Sequence, residues 1–173
     1  MPGLDIRLAR ESDFAEITAI YAHHVRHGTA SFEETPPSVQ EMLGRWRKVT
    51  DGGNIWLVAA DNVGVHGYAY TTPYHVRPAY RYTVENAVYV AHDATGRGIG
   101  KALMQPLIDH ARVAGRRRMI AVIGDSENAG SVGLHKACGF RHIGVLEKIG
   151  YKFERWIDVV MMQLDIHPES GTG

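Results

Sequence analysis

The fold is decided by the stretch Val88-Tyr89-Val90-Ala91-His92-Asp93-Ala94-Thr95-Gly96-Arg97-Gly98-Ile99-Gly100-Lys101. An apolar triplet opens it and predicts a strand, after which three glycines at alternate positions interrupt the chain. A helix is predicted next, because apolar residues then recur at helical spacing, at Ile99, Leu103, Leu107, Ile108 and Ala111. The segment therefore predicts a strand, a glycine-rich loop and a helix in direct succession.

The glycine-rich loop predicts a binding site for a ligand that carries phosphate. Glycine has no Cβ, so a ligand can approach the backbone closely. The helix behind the loop presents unpaired N–H groups and the positive end of its dipole, and Arg97 and Lys101 add positive charge. The alternative is a loop that uses its glycines only to make tight turns.

Two nucleotide-binding motifs are excluded by the spacing of these glycines. A Walker A loop would need glycine at 95 and Ser or Thr at 102, where the chain has Thr95 and Ala102. A dinucleotide-binding fingerprint would need its last glycine at 101 or 103, where the chain has Lys101 and Leu103. The phosphate-bearing ligand is therefore of another kind.

Hydrophobic periodicity predicts the other elements on either side of this stretch. Strands are predicted at 6–8, 55–60, 63–72, 80–90, 119–123, 140–146 and 156–164. Helices are predicted after the capping residues Ser12 and Ser38, after the glycine loop, and over 131–137, where Gly139 is the stop signal. The unbroken apolar run at 119–123 is typical of a strand buried on both faces. This order predicts an α/β fold, an α+β sandwich in which one mixed sheet of about six to seven strands carries helices on both faces.

Length and charge limit the classes of partner. The chain has 173 residues, which suits one domain, predicted over 1–166, followed by a disordered tail at 167–173. Lys plus Arg and Asp plus Glu both number 19, so no net charge attracts nucleic acid or an anionic membrane, and neither is expected as a partner. No signal segment is visible and no apolar run approaches the roughly 20 residues of a membrane helix. A cytoplasmic location is therefore expected.

Cysteine and histidine usage predicts no disulfide and no metal site. Cys138 is the only cysteine, so no intrachain disulfide can form. It ends an apolar helix, and we expect it to pack as a small hydrophobic residue. His23 and His24 are adjacent and cannot face one ligand from a helix, so no zinc site is expected.

The glycine loop resembles the pyrophosphate-binding loop of the GNAT N-acetyltransferases, Gln/Arg-x-x-Gly-x-Gly/Ala, with Thr95 where the family has Gln or Arg. A second family element, Asn-x-x-Ser before a short helix that ends in Gly-Phe, matches Asn128 to Ser131 and Gly139-Phe140. From about residue 6 to 166 the chain resembles the phosphinothricin and methionine sulfoximine acetyltransferases, notably at 29–37, 83–90, 121–123, 131–135 and 150–158. The resemblance implies a mostly antiparallel sheet that is splayed at the cofactor site. It also implies acetyl-CoA as co-substrate, no metal, a small-molecule amine acceptor and a homodimer.

The resemblance also implies roles for individual residues. Glu85 is the expected catalytic base, since a carboxylate can take the proton that an amine loses when it attacks a thioester. The alternative is an ordinary strand carboxylate that pairs with Arg77 or Arg81. His135 is expected to protonate the leaving thiolate or to relay the amine proton, and the alternative is a helix histidine bonded to a backbone carbonyl.

Two further groups of residues are expected in the site. Those implied to bind the cofactor are Val88, Tyr89, Val90, Gly96, Arg97, Gly98, Ile99, Gly100, Lys101, Asn128 and Ser131. Those expected at the acceptor are Phe32, Tyr74, His75, Arg77, Arg81, Glu85 and Tyr151. Arginine can hold the carboxylate or phosphinate of an amino-acid-like acceptor through two hydrogen bonds.

The predicted function is direct acetyl transfer within a ternary complex, without a metal, to the free amine of a small amino-acid-like acceptor. The resemblance implies phosphinothricin, methionine sulfoximine or methionine sulfone as that acceptor. Two alternatives remain open within enzymes, transfer to another small amine and transfer to a peptide N-terminus. A third alternative, from another class, is a non-catalytic module that only binds acetyl-CoA.

Overall fold

The computed structural model describes residues 3–167 of the chain. Within that range seven strands form one sheet: β1 (Asp5–Leu8), β2 (Trp56–Ala60), β3 (Val65–Pro73), β4 (Thr83–Val90), β5 (Arg118–Gly124), β6 (Arg141–Lys152) and β7 (Arg155–Asp165). Four α-helices accompany them: α1 (Phe14–His27), α2 (Val39–Asp51), α3 (Ile99–Val113) and α4 (Ala129–Ala137). The predicted order of elements and the α/β fold class are confirmed. Of the predicted tail, 168–173 lie outside the described residues.

The sheet is antiparallel except at one pair of strands. Its order is β1-β2-β3-β4-β5-β7-β6, and only β4 and β5 run parallel. Their pairing begins at Thr83 with Arg118 and ends at Asn86 with Ala121. From Ala87 onward β4 has no register with β5 in the described chain, so the sheet opens there, as the resemblance predicted.

Two hydrophobic cores lie on opposite faces of the sheet. Helices α1 and α2 pack against β2, β3 and β4 on one face, around the fully buried Phe14, Trp56 and Tyr68. Helices α3 and α4 cover the other face, where Leu103 and Met119 are fully buried. Apolar side chains of this size each contribute about 1.5–3 kcal/mol when removed from water, so the two cores fix the helices against the sheet.

Local capping chemistry explains two of the predicted helix ends but not a third. Ser38 accepts a hydrogen bond from the Glu41 N–H and begins α2, as predicted. Gly139 has φ +89° and ends α4, also as predicted. The predicted cap at Ser12 is wrong, because Ser12 lies inside a 3-10 turn over Glu11–Asp13 that precedes α1.

Several predicted strands differ from the structure, and the largest change in length is at β6, which is predicted over 140–146 but spans Arg141–Lys152. The strand predicted from residue 80 begins at Thr83, because Pro78–Tyr80 form a 3-10 turn instead. The prediction that 119–123 is buried on both faces is wrong, since Val122 is 41% exposed. That face of β5 borders a cavity instead of a helix. Among residues 3–167, no helix is both long and apolar enough to span a membrane.

Candidate functional site

A cavity of about 410 Å³ lies where β4 and β5 separate, and we call it the central cavity. Its walls are mainly residues 85–89 of β4, the end of β5, one side of α4 and the loop 30–33. Several residues predicted for the site line it, namely Phe32, Glu85, Val88, Tyr89, Asn128, Ser131 and His135. The opening of the sheet therefore brings residues from four separate parts of the chain together.

A second cavity, of about 280 Å³, follows the glycine loop, and we call it the glycine-loop cavity. The two cavities share Ala30, Val88, Tyr89, Asn128 and Ser131 as lining residues. The predicted residues that line only the glycine-loop cavity are Val90, Gly96, Gly98, Ile99 and Gly100. An elongated ligand can therefore extend from the glycine loop into the central cavity.

The glycine loop has a backbone that other residues rarely adopt. Gly96 and Gly98 have φ +75° and +76°, in the left-handed region, and Gly98 is the N-terminal cap of α3. A Cβ on either residue would meet open space, so the backbone conformation, not crowding, requires glycine here. The first turn of α3 directs its unpaired N–H groups and dipole toward this cavity, which suits an anion such as a pyrophosphate.

The other loop residues have different surroundings. A Cβ on Gly100 would lie 2.9 Å from Leu134, so this glycine also allows α3 to pack closely against α4. Arg97 and Lys101 are exposed and line neither cavity. Their charges can therefore reach a bound anion only from the solvent side.

Glu85 presents a half-buried carboxylate to the central cavity. Burial raises the pKa of this carboxyl above its ordinary value, and the nearby His75 offsets part of the rise. Among the described residues, Glu85 forms no ion pair with Arg77 or Arg81. A carboxylate with a raised pKa and no ion-pair partner can accept a proton from a bound ligand.

His135 is buried, with 2% of its surface exposed, and both of its ring nitrogens have partners. Nδ1 lies 2.8 Å from the carbonyl oxygen of Ser131, which can only accept, so Nδ1 carries a hydrogen. Nε2 lies 2.9 Å from Nδ2 of Asn86, an amide donor, so Nε2 accepts. Burial lowers the pKa of His135, although the Ser131 carbonyl opposes this, and the imidazole is therefore neutral.

The loop 28–33 forms one wall of the central cavity and is fixed at several points. The buried Lys152 donates from Nζ to the carbonyl oxygens of Gly28 and Ser31, at 2.9 and 2.6 Å. The ring of Phe32 packs directly over Gly150, where a Cβ would overlap it. This wall therefore depends on contacts between the loop and the distant β6.

Five residues predicted near the acceptor line neither the central nor the glycine-loop cavity. Tyr74 lines another cavity, of about 300 Å³, together with Ile120 and Met161. Arg81 stacks on the ring of Tyr82 at 4.6 Å and lines none of these cavities. Neither do Arg77 and Tyr151, and the ring of Tyr151 packs against Trp156. His75 packs its ring against Tyr74 and Tyr80.

Several polar residues of the two cavities were not found from the sequence. They are His24, which lines the glycine-loop cavity, and Tyr21, Ser31, Glu33, Tyr70 and Asn86, which line the central cavity. Asn86 offered a signal, because a polar residue next to Glu85 interrupts an otherwise apolar strand. The others lie in a helix, a loop and a strand that contact this site only through tertiary packing.

Comparison with known proteins agrees with this geometry. Residues 6–161 match the family described as "Acetyltransferase (GNAT) domain". A phosphinothricin N-acetyltransferase from Alcaligenes faecalis is 52% identical, over 91% of this chain and 80% of that protein. An L-methionine sulfoximine/L-methionine sulfone acetyltransferase from Pseudomonas aeruginosa is 40% identical, over 94% and 95%. The crystal structure of a phosphinothricin acetyltransferase from Sinorhizobium meliloti in complex with acetyl-CoA is 41% identical, with a TM-score of 0.90 over 94% of this chain and 88% of that one.

Proposed function

This chain belongs to the GNAT acetyltransferase family, and we propose that it transfers the acetyl group of acetyl-CoA to the free amine of a small, amino-acid-like acceptor. One observation carries the proposal. The carboxylate of Glu85 has no ion-pair partner among the described residues, and it faces a cavity that continues into the glycine-loop cavity. A base and a phosphate site joined in this way suit the reaction of an amine with a thioester of a phosphorylated carrier.

The two cavities suit different parts of acetyl-CoA. In the proposed complex the pyrophosphate binds the N–H groups at Gly96 to Gly100, beside Arg97 and Lys101. The pantetheine arm runs along Val88, Tyr89 and Val90, whose part of β4 has no register with β5. Asn128 and Ser131 line both cavities and are therefore placed beside the arm. The Sinorhizobium relative was solved with the same co-substrate, which supports this assignment.

In the proposed reaction the acceptor amine attacks the thioester carbonyl directly. Glu85 takes the proton that the amine loses, the carbon–sulfur bond breaks, and coenzyme A leaves as its thiolate, which then takes up a proton. A backbone N–H near Val90 stabilises the negative charge on the carbonyl oxygen during the attack. No covalent intermediate with the protein forms in this scheme.

For His135 we propose a positioning role in place of the proton donation that the resemblance implied. A neutral imidazole donates only from Nδ1, and that hydrogen is already bonded to the Ser131 carbonyl. Nε2 is occupied by Asn86, so His135 joins α4 to β4 at the point where the sheet opens. Its proposed contribution is to hold in place the part of β4 from Ala87 to Val90, which we call the cofactor strand.

The proposed acceptors are phosphinothricin, methionine sulfoximine and methionine sulfone, the amines that the relatives' names give. The test follows coenzyme A release with a thiol reagent on these three, on common amino acids, on a polyamine and on a peptide with a free N-terminus. Turnover on the first three above all others is the expected result. Turnover only on the peptide would show that the acceptor class is wrong, and binding of acetyl-CoA without any turnover would point to a binding module.

We also propose that the protein is a homodimer that associates through its β6 edge. This edge strand and the hairpin that follows it expose several large apolar side chains: Ile143, Val145, Leu146, Ile149, Tyr151 and Trp156. Exposed apolar groups this close together usually mark an interface. Light scattering after size exclusion should give about twice the chain mass of 19.2 kDa, and a monomer mass would refute the proposal.

A cytoplasmic location is proposed as well. Cys138 is the only cysteine of the chain, and burial raises the pKa of its thiol, so it is a packed group with low reactivity. A chain whose single cysteine cannot form an intrachain disulfide suits a reducing compartment. Fractionation of expressing cells tests this, and recovery in the membrane or secreted fraction would contradict it.

A further inference from the structure

A second carboxylate, that of Glu33, lines the central cavity together with Glu85. Its Oε1 accepts hydrogen bonds from Arg45 at 2.6 Å and from the Tyr21 hydroxyl at 2.8 Å. Its Oε2 accepts one bond, from Arg45 at 3.2 Å. A carboxylate offers about four acceptor positions, so Glu33 retains capacity for one more donor. About a third of the side chain, 35%, is exposed.

The charge state of Glu33 differs from that of Glu85. Burial alone would raise the pKa of Glu33, but the hydrogen bonds from Arg45 and Tyr21 outweigh it and lower the pKa below the ordinary value. Burial raises the pKa of Glu85, which has no such donor. Two carboxylates whose surroundings move their pKa values apart usually perform different tasks. Glu33 therefore remains ionised while Glu85 is able to take up a proton.

The rest of the central cavity is neutral or apolar. Among the described residues no lysine or arginine lines it, and its one histidine, His135, is neutral. Arg45 lies behind Glu33 and also pairs with Glu41 at 2.7 Å. The cavity thus offers a ligand negative charge, and a cation is the complementary partner.

We propose that Glu33 binds the ammonium group of the acceptor and thereby selects acceptors whose reacting nitrogen is protonated, an inference that rests on the proposed function. The amino group of such an acceptor is mostly protonated near neutral pH, so its nitrogen enters the cavity as an ammonium. Glu33 holds that ammonium in the cavity, and Glu85 removes one proton before the nitrogen attacks. The second proton leaves the nitrogen as the amide forms and is taken up by the coenzyme A thiolate. Glu33 stays ionised throughout and exchanges no proton. Burial raises the pKa of Tyr70, which lines the same cavity, and the charges of both carboxylates raise it further.

The test measures binding by calorimetry to the protein saturated with coenzyme A, so that it does not depend on turnover. The ligands are methionine sulfone and its 2-hydroxy analogue, which keeps the shape but carries no ammonium. In Glu33→Gln the amide oxygen can still accept from Arg45 and Tyr21, so the loop is kept. We expect methionine sulfone to bind roughly tenfold or more weakly to this variant, while the hydroxy analogue binds as it does to the unmodified protein.

Glu34→Gln is the matched control, because it removes the same charge one residue away on an exposed side chain that does not line the central cavity. It should leave both affinities unchanged. If Glu33→Gln reduced the affinity for both ligands equally, Glu33 would have only a structural role and the proposal would fail. An unchanged affinity for both ligands would also overturn the proposal. Turnover of the unmodified protein is scored separately. Its absence would defeat the proposed function, whereas the calorimetric difference alone decides the role of Glu33.

Discussion

Asn86 donates from its side-chain amide to Nε2 of His135 across 2.9 Å, and this bond joins β4 to α4 where the sheet opens. Both side chains are buried, at 6% and 2% exposure. The bond spans 49 positions of sequence. Because the other ring nitrogen is bonded to the Ser131 carbonyl, the imidazole has a fixed orientation and tautomer. The pair is therefore suited to hold the start of the cofactor strand at a constant distance from α4.

The first prediction concerns His135→Gln. If His135 only positions Asn86, this variant should raise the KM for acetyl-CoA and lower kcat while the shape of the pH–rate profile stays the same. If His135 donates a proton, the profile should lose its alkaline limb. The measurement is kcat and kcat/KM at a series of pH values for the variant and the unmodified protein.

Asn86→Leu provides a second arm of the same test. Leucine is close to asparagine in size but leaves Nε2 of His135 without a donor, and an unpaired buried polar atom costs about 1–3 kcal/mol. We expect the same rise in the KM for acetyl-CoA as in His135→Gln. A normal KM in both variants would show that the bond does not position the cofactor strand.

Glu85→Gln is expected to lower kcat by about 10²–10⁴-fold, because it removes the group that takes the amine proton. The KM for acetyl-CoA should change little, since Glu85 does not line the glycine-loop cavity. In the unmodified protein the rate should fall with decreasing pH at a value above the ordinary carboxyl range, because burial raises the pKa of Glu85. Asp51→Asn, at an exposed carboxylate of α2 that lines neither cavity, is the control. Unchanged turnover in Glu85→Gln would show that the base is another group.

The same substitution should stabilise the fold. A carboxyl whose pKa is higher in the folded than in the unfolded state loses stability as pH rises through these values, because the ionised form is disfavoured by burial. Above the folded-state pKa that cost is fully present, and Gln removes it. The Tm of Glu85→Gln at neutral pH should therefore exceed that of the unmodified protein. A lower Tm would mean that the ionised carboxylate has a stabilising partner.

The features that depend on residues close together in sequence could be predicted from the sequence. The order of strands and helices follows from hydrophobic periodicity, and the ends at Ser38 and Gly139 follow from capping. The glycine loop was also found from the sequence, because its spacing is local. The helix start predicted at Ser12 is wrong, because a capping residue alone does not fix the residue at which the first helical turn begins.

The orientation of side chains, and their contacts with residues that are far away in sequence, could not be predicted from the sequence. Arg81 is near Glu85 in sequence and was expected at the acceptor, but its guanidinium stacks on Tyr82 instead. Glu33 showed no pattern of its own, because its bonds to Tyr21 and Arg45 depend on how α1 and α2 pack. Contacts of this kind are set by tertiary structure, which periodicity does not report.

Gly150→Ala tests whether the Phe32 ring shapes the central cavity. The added methyl would overlap that ring, which must then turn aside or move into the cavity. We expect a raised KM for the acceptor and an unchanged KM for acetyl-CoA, because Phe32 does not line the glycine-loop cavity. Gly44→Ala, within α2, meets nothing within 4 Å and should stabilise the protein by about 0.5–1 kcal/mol without affecting either KM. An unchanged KM for the acceptor in Gly150→Ala would place the acceptor away from Phe32.

The last prediction concerns the pH dependence of stability near the cofactor strand. His24 bonds through Nε2 to the carbonyl oxygen of Val90 at 2.9 Å and lines the glycine-loop cavity. Burial lowers its pKa, the bond to Val90 opposes this, and His92 lowers it further. Burial and the neighbouring histidines also lower the pKa of His23. A histidine whose pKa is lower in the folded than in the unfolded state does not affect the free energy of unfolding at high pH. It destabilises the folded state as pH falls through its unfolded-state pKa of about 6.5.

The Tm should therefore fall between about pH 7.5 and pH 5.5, and the fall should be smaller in His24→Gln, whose amide can still donate to the Val90 carbonyl. His142→Gln, at an exposed histidine on β6, should show the same fall as the unmodified protein. Saturating acetyl-CoA is expected to raise the Tm at both pH values, because it binds only the folded chain. If the Tm of His24→Gln falls as much as that of the unmodified protein, the charge on His24 does not control the stability of this end of β4. His23 and His135 should then be substituted next, because burial lowers their pKa values too.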